Sequence, residues 1–300
     1  MHFTWWNLIP TNFDGTAIQL GSFPVRWYGL MYLFAFATCY ALIWYVNRKE
    51  KIGITKEQLD SFATWVIAGI LIGARLGYVC FYNPAHYLAN PLEIITPFRY
   101  DPVLGFHFVG ISGMSYHGGL LGAIIFGIIG IRRNKMPLFE VLNLGFLAVP
   151  LGYGWGRWGN FVNGELYGEV TTSPVGMIFP LSGDLNLHHP SQLYEMFFEG
   201  IVLFTVLFTL HHFKFFKKQM MPLYLMGYGT FRFFIEFFRR PDVQLGRHDF
   251  FGMSRGQTLC TAMVIAGIIL FIYQYRRQIR LEAAGTAAKP APAKKAEAKR

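Results

Sequence analysis

The chain has 300 residues, of which 53% are hydrophobic, 18% aromatic and only 15% charged, with a formal net charge of +10. Soluble domains carry about 25% charged residues, so the composition excludes a soluble globular domain and points to an integral membrane protein. The positive charge is a poor sign of nucleic-acid binding, because no folded basic face or stacking platform accompanies it.

Windows of about 20 mostly apolar residues mark membrane spans. They fall at 27–46, 61–82, 117–131, 138–157, 193–213, 220–238 and 256–275, the third beginning near Ile111. The expected fold is an all-α polytopic bundle of about seven transmembrane helices. The opening Met1-His2-Phe3-Thr4-Trp5-Trp6 lacks a cationic n-region and a cleavage site, so the first span reads as a retained helix behind an aromatic interfacial segment. Lys49, Lys51 and Lys56 follow the first span, Lys135 the third, Lys214, Lys217 and Lys218 the fifth, and Lys289, Lys294, Lys295 and Lys299 the last. Every lysine falls on one side, which the positive-inside rule makes cytoplasmic, with the N-terminus outside and the C-terminus inside. Residues 1–282 are expected to form the membrane domain. Residues 283–300, rich in Ala, Lys and Pro, are expected to be a disordered cytoplasmic tail in weak contact with anionic lipid.

Arginine is distributed differently. Arg26, Arg99, Arg239, Arg240, Arg247 and Arg255 lie on the side without lysine, and Arg75, Arg157 and Arg232 lie within or at the ends of spans. Guanidinium forms planar bidentate bonds to phosphate that an ammonium cannot copy. Snorkelling to lipid headgroups accounts for Arg26, Arg99 and Arg247, but it suits Arg157 badly.

Five stretches carry candidate chemistry, taken here in chain order. Arg26-Trp27-Tyr28-Gly29-Leu30-Met31-Tyr32 opens the first span, with Tyr28 either an aromatic-belt residue or a hydroxyl aimed at a substrate. Ser115-Tyr116-His117-Gly118-Gly119 opens the third. A first-turn His117 is held neutral by the helix dipole, and the bare amides of Gly118 and Gly119 suit an anion; alternatively these glycines only let helices pack. Gly156-Arg157-Trp158-Gly159-Asn160-Phe161-Val162-Asn163-Gly164-Glu165 ends the fourth, placing a permanent cation, amides and a carboxylate at a depth where charge is costly. His189-Pro190-Ser191-Gln192-Leu193-Tyr194-Glu195 enters the fifth, where Glu195 and Glu199 point the same way and require cationic partners. Arg232, Glu236 and Arg239 share one face of the sixth, Arg232 and Glu236 as an ion pair and Arg239 as a free phosphate ligand. Cys39, Cys80 and Cys260 lie in apolar segments and read as buried inert thiols, and no metal motif is visible. All five stretches share one membrane face, which implies an anionic, phosphorylated, amphipathic substrate.

These stretches, with Gly73-Ala74-Arg75-Leu76-Gly77-Tyr78 and Glu236-Phe237-Phe238-Arg239, resemble in order the motifs of bacterial prolipoprotein diacylglyceryl transferases, from about residue 20 to 280. The resemblance implies a seven-helix, multi-pass inner-membrane enzyme with its active site towards the outer leaflet. Such an enzyme moves the diacylglyceryl group of phosphatidylglycerol to the lipobox cysteine thiol of a preprolipoprotein, releases glycerol phosphate and needs no cofactor. It implies importance for Tyr28, His117, Arg157, Asn160, Glu165, Gly168 and Arg239, with Arg75 among the lipid-binding group. His117 would take the thiol proton with Tyr28 as relay, Arg157 and Arg239 would bind phosphate, and Asn160 and Glu165 would orient them. An anionic-lipid transporter or flippase is the alternative class, and it would show internal repeats, of which the chain has no convincing example.

Overall fold

The computed structural model describes residues 3–21, 23–96, 98–101, 105–108, 113–240 and 252–287. Its helices are α1 (Trp27–Glu50), α2 (Lys56–Phe81), α3 (Pro84–Ala89), α4 (Tyr116–Arg133), α5 (Leu138–Val162), α6 (Ser191–Glu195), α7 (Leu203–His211), α8 (Met220–Ile235) and α9 (Arg255–Ala287). A π-helical turn, Met196–Val202, joins α6 to α7. Two antiparallel hairpins, β1 (Thr16–Leu20) with β2 (Phe23–Arg26) and β3 (Phe98–Asp101) with β4 (Gly105–Phe108), are the only sheets among the described residues.

Five helical stretches are long and apolar enough to cross a membrane: α1, α2, α5, Ser191–His211 and Arg255–Arg280 of α9. The expected third and sixth spans are the shorter α4 and α8, of 18 and 16 residues. Apolar side chains are exposed along several helical segments: Leu71 and Ile72 on α2, Ile124 on α4, Phe197 in the π turn, and Ile265 and Ile269 on α9. Helices that satisfy their own backbone and turn apolar side chains outward are what a bilayer accepts, and the chain is an all-α membrane protein. The thiols are all free, but Cys80 is exposed rather than buried as expected. It lies at the end of α2 beside Phe81 and Tyr82, which are exposed with it. α9 continues to Ala287; residues 288–300 of the expected tail, and Arg247, lie outside the described residues.

The chain divides into two compact units, Ile43–Val141 and the remainder. In the first, α2 and α4 interlock through glycine. A Cβ added at Gly77 would lie 2.7 Å from the Cα of Gly118, and one at Gly73 would lie 2.8 Å from that of Gly122. No side chain fits between these backbones. α4 begins at Tyr116, not near Ile111, because Ser115 has extended φ/ψ and its side chain accepts from the Gly118 amide. In the second unit the π turn brings Gly200 against Gly154 of α5, where a Cβ on Gly200 would lie 3.0 Å from the Gly154 Cα. That close approach sets α5 and the Ser191–His211 helix side by side. Phe161 and Val162, the last residues of α5, form a buried cluster with Met177 and Phe179, covered by Trp6, Phe13, Trp27 and Tyr167.

Candidate active site

The last turns of α5 carry Tyr153, Arg157 and Asn160, three or four residues apart and therefore on one face. The Arg157 guanidinium lies over the Tyr153 ring, 4.8 Å from its centroid. Its Nη1 donates to Asn160 Oδ1 at 3.3 Å, and its Nε meets Glu195 Oε2 at 2.7 Å. Glu195 stands at the end of α6 and is 1% exposed. Its other oxygen accepts from Arg239 Nη1 at 2.6 Å and from Arg232 Nη1. One buried carboxylate thus gathers three arginines.

Glu236 closes the cluster. It meets Arg232 Nη2 at 3.2 Å and Arg239 Nε at 3.8 Å, and its Oε1 accepts from Ser254 Oγ at 3.2 Å. Arg232 lies in the last turn of α8. Arg239 follows a 3₁₀ turn, Glu236–Phe238, in extended conformation, so it bends back onto Glu195. Buried charges are tolerated when paired in this way. The three arginine side chains keep 15–17% exposure, enough for an incoming anion to reach them.

Gly168 holds the second wall. Its amide donates to the His189 carbonyl at 2.8 Å, its carbonyl accepts from His188 Nδ1 at 3.0 Å, and its backbone pairs with Arg239. A Cβ there would strike the Phe238 carbonyl and lie 2.9 Å from His189 Cβ. Gly168→Ala should therefore displace Arg239 at an overpacking cost of about 1–3 kcal/mol and lower activity more than it lowers the melting temperature; unchanged turnover would refute this. Ser191 Oγ and Gln192 Nε2 donate to the carbonyls of Leu166 and Glu165 at 3.0 and 2.6 Å, so the start of α6 clamps the same loop. His189 sits against Tyr194, and burial pushes its pKa below the usual histidine value.

The sequence-derived residues fare unequally. Arg157, Asn160 and Arg239 converge, although Arg239 is bound by Glu195 rather than free. The Glu165 carboxylate is exposed and meets Asn163 at 3.5 Å, not an arginine. Tyr28 pairs with the Tyr32 hydroxyl at 3.2 Å, and its ring packs where a Cβ of Gly159 would be. Arg75 and His117 belong to the other unit. Arg75 donates to the carbonyls of Glu93, Ile94 and Gly113 at 2.5, 2.9 and 3.2 Å, which fixes two loops. His117 occupies the first turn of α4 and is exposed. The amides of Gly118 and Gly119 are not available to an anion: Ser115 Oγ and the Ser115 carbonyl accept from them at 3.3 and 2.9 Å. Of the two glutamates expected to find cations, Glu195 takes three, while Glu199 makes no ion pair among the described residues. Tyr153 was overlooked; its position four residues before Arg157 was the available signal.

Helices with lipid-facing flanks and an internal cluster of three arginines on one carboxylate define a membrane protein equipped to engage an anionic group. A family model described as prolipoprotein diacylglyceryl transferase matches residues 15–273. A phosphatidylglycerol–prolipoprotein diacylglyceryl transferase of Chlorobaculum tepidum is 44% identical over 274 residues, covering 91% of this chain and 94% of the relative. One from Bordetella avium is 41% identical over 269 residues, covering 89% and 97%, and one from a Wolbachia of Drosophila simulans is 42% identical over 258 residues, covering 85% and 92%. The chain belongs to the prolipoprotein diacylglyceryl transferase family.

Proposed function

We propose that the chain transfers the diacylglyceryl group of phosphatidylglycerol to the lipobox cysteine of preprolipoproteins in the bacterial inner membrane, from a site towards the outer leaflet. Seven spans with the N-terminus periplasmic and the C-terminus cytoplasmic complete this reading. Residues 1–282 form its catalytic membrane domain, and the tail from 283 has no catalytic part. The observation that carries the proposal is the convergence of Arg157, Arg232 and Arg239 on Glu195 in a member of this family.

The cysteine sulfur attacks the glycerol carbon that bears the phosphate ester, an S–C bond forms, and the C–O bond to phosphate breaks. The electron pair leaves on the phosphate oxygen as glycerol phosphate, and the thiol proton passes to a base. The thiolate is the nucleophile, and a free thiol has a pKa of about 8.5. His117 is the assigned base, with Tyr28 as relay. Arg157 and Arg239, presented by Glu195, bind the phosphate and stabilise the charge it gains on leaving. Asn160 fixes Arg157, and Glu165, Gly168 and Arg75 are assigned with it to lipid binding.

Incubating the purified protein with phosphatidylglycerol and a lipobox peptide tests the reading. The expected product is a thioether-linked mass increase that a Cys→Ser peptide does not show; lipid movement between leaflets without it would indicate a transporter. His117→Ala and His117→Gln should both lose transfer by about 10²-fold or more, the usual worth of a positioned base. Near-normal rates in both would remove His117 from that role.

A further inference from the structure

The turn between α1 and α2 forms a groove of about 600 Å³ at the end of α2 opposite Arg75. Arg48, Lys51 and Lys56 line it together with Trp44, and Glu57 is the one acid in its wall. All three cations are exposed.

The loop that carries these cations has a fixed backbone. Asn47, 3% exposed, donates from Nδ2 to the Ile54 carbonyl at 2.7 Å and accepts from the Ile54 amide at 3.1 Å. The Ile52 amide closes on the Asn47 carbonyl at 3.1 Å, and Thr55 and Gln58 cap α2 reciprocally. The loop backbone is therefore pinned at both ends. Lys51 ends α1 with φ +53°, a left-handed conformation that few side chains adopt without such support. Arg48 lies over the Trp44 ring, 5.0 Å from its centroid. Thr55 Oγ1 already accepts from the Gln58 amide at 3.2 Å, so the cations that line the groove are the main partners it offers an anion.

Lys56 and Arg75 are 19 residues apart on α2, which at 1.5 Å per residue is about 28 Å. That is about the thickness of a hydrocarbon core. The Arg75 end is also the His117 end, since the Ser115 amide donates to the Ala74 carbonyl at 2.9 Å. A ligand held at that end cannot fill the groove.

We propose that this groove binds the headgroup of an anionic phospholipid from the leaflet on the lysine-bearing side. Its phosphate would sit between Arg48, Lys51 and Lys56, with Trp44 at the level of the interface. A lipid is favoured over free phosphate because the groove joins the ends of two membrane-spanning helices whose outer sides are apolar, and a lipid's acyl chains can lie along them.

Lysine acetylation read by mass spectrometry tests this on the full chain in nanodiscs, with Lys135 as internal reference. Lys51 and Lys56 should react several-fold more slowly in discs containing phosphatidylglycerol than in phosphatidylcholine discs, with Lys135 little changed. Arg48→Gln should weaken that protection and leave diacylglyceryl transfer intact. Equal slowing of Lys135 would reduce the effect to diffuse surface attraction and overturn the site. Equal protection by inorganic phosphate in phosphatidylcholine discs would overturn the lipid assignment. Full protection in Arg48→Gln would overturn the geometry.

Discussion

Glu195→Gln should cost both thermal stability and transfer activity, although the substitution is nearly isosteric. The carboxylate is 1% exposed and receives all three arginines. Removing one partner of a buried ion pair typically costs about 3–5 kcal/mol, because the remaining charge stays buried and uncompensated. Arg232 and Arg239 retain Glu236 at 3.2 and 3.8 Å. Arg157 retains only Asn160 and the Tyr153 ring among the described residues, so it should lose its position first. The melting temperature in detergent and the peptide transfer rate are the two measurements. Residues in one network couple, so Glu195→Gln combined with Arg157→Ala should lose less than the sum of the single changes. A variant with wild-type melting and turnover would show that the arginines do not depend on Glu195.

Arg157→Lys has the second large effect. The guanidinium satisfies three demands at once: Nε on Glu195, Nη1 on Asn160 and its plane over Tyr153. An ammonium is a compact point charge without the planar fork, so it cannot meet all three from one position. Loss of a preorganised charge-stabilising donor costs about 10²–10³ in rate, and Arg157→Lys should approach that loss despite keeping its charge. Arg157→Ala should in addition weaken phosphatidylglycerol binding. Normal lipid binding in Arg157→Ala would sink the phosphate-clamp role, and near-normal rates in Arg157→Lys would mean that charge alone suffices.

Much of the fold is legible in the sequence. Unbroken apolar windows identify helices because an apolar run of that length has few other stable fates, and α1, α2, α5, Ser191–His211 and α9 follow them closely. The Arg232–Glu236 pair was legible because four residues on a helix make neighbours. The Gly118 and Gly119 amides were not. Whether a glycine serves a ligand or a helix contact depends on what stands opposite, and here Gly73 and Gly77 of α2 face Gly118 while Ala74 and Ile70 face Gly119. Gly168 entered by family resemblance alone, and only the Phe238 carbonyl against its Cα supplies a physical reason for it.

Residue types and their spacing determined that this is a helical membrane protein with arginines placed at costly depth, since the bilayer penalises each such residue wherever its partner lies. They could not decide the partners. Glu195 and Glu199 are both glutamates on one apolar helix, yet one collects three arginines across sequence separations of up to 44 residues and the other takes none by hydrogen bond. The π turn, the Gly154–Gly200 contact and the extended backbone at Arg239 made that choice. A charge-assisted hydrogen bond needs its heavy atoms about 2.7–2.9 Å apart, and only tertiary packing sets distances that fine.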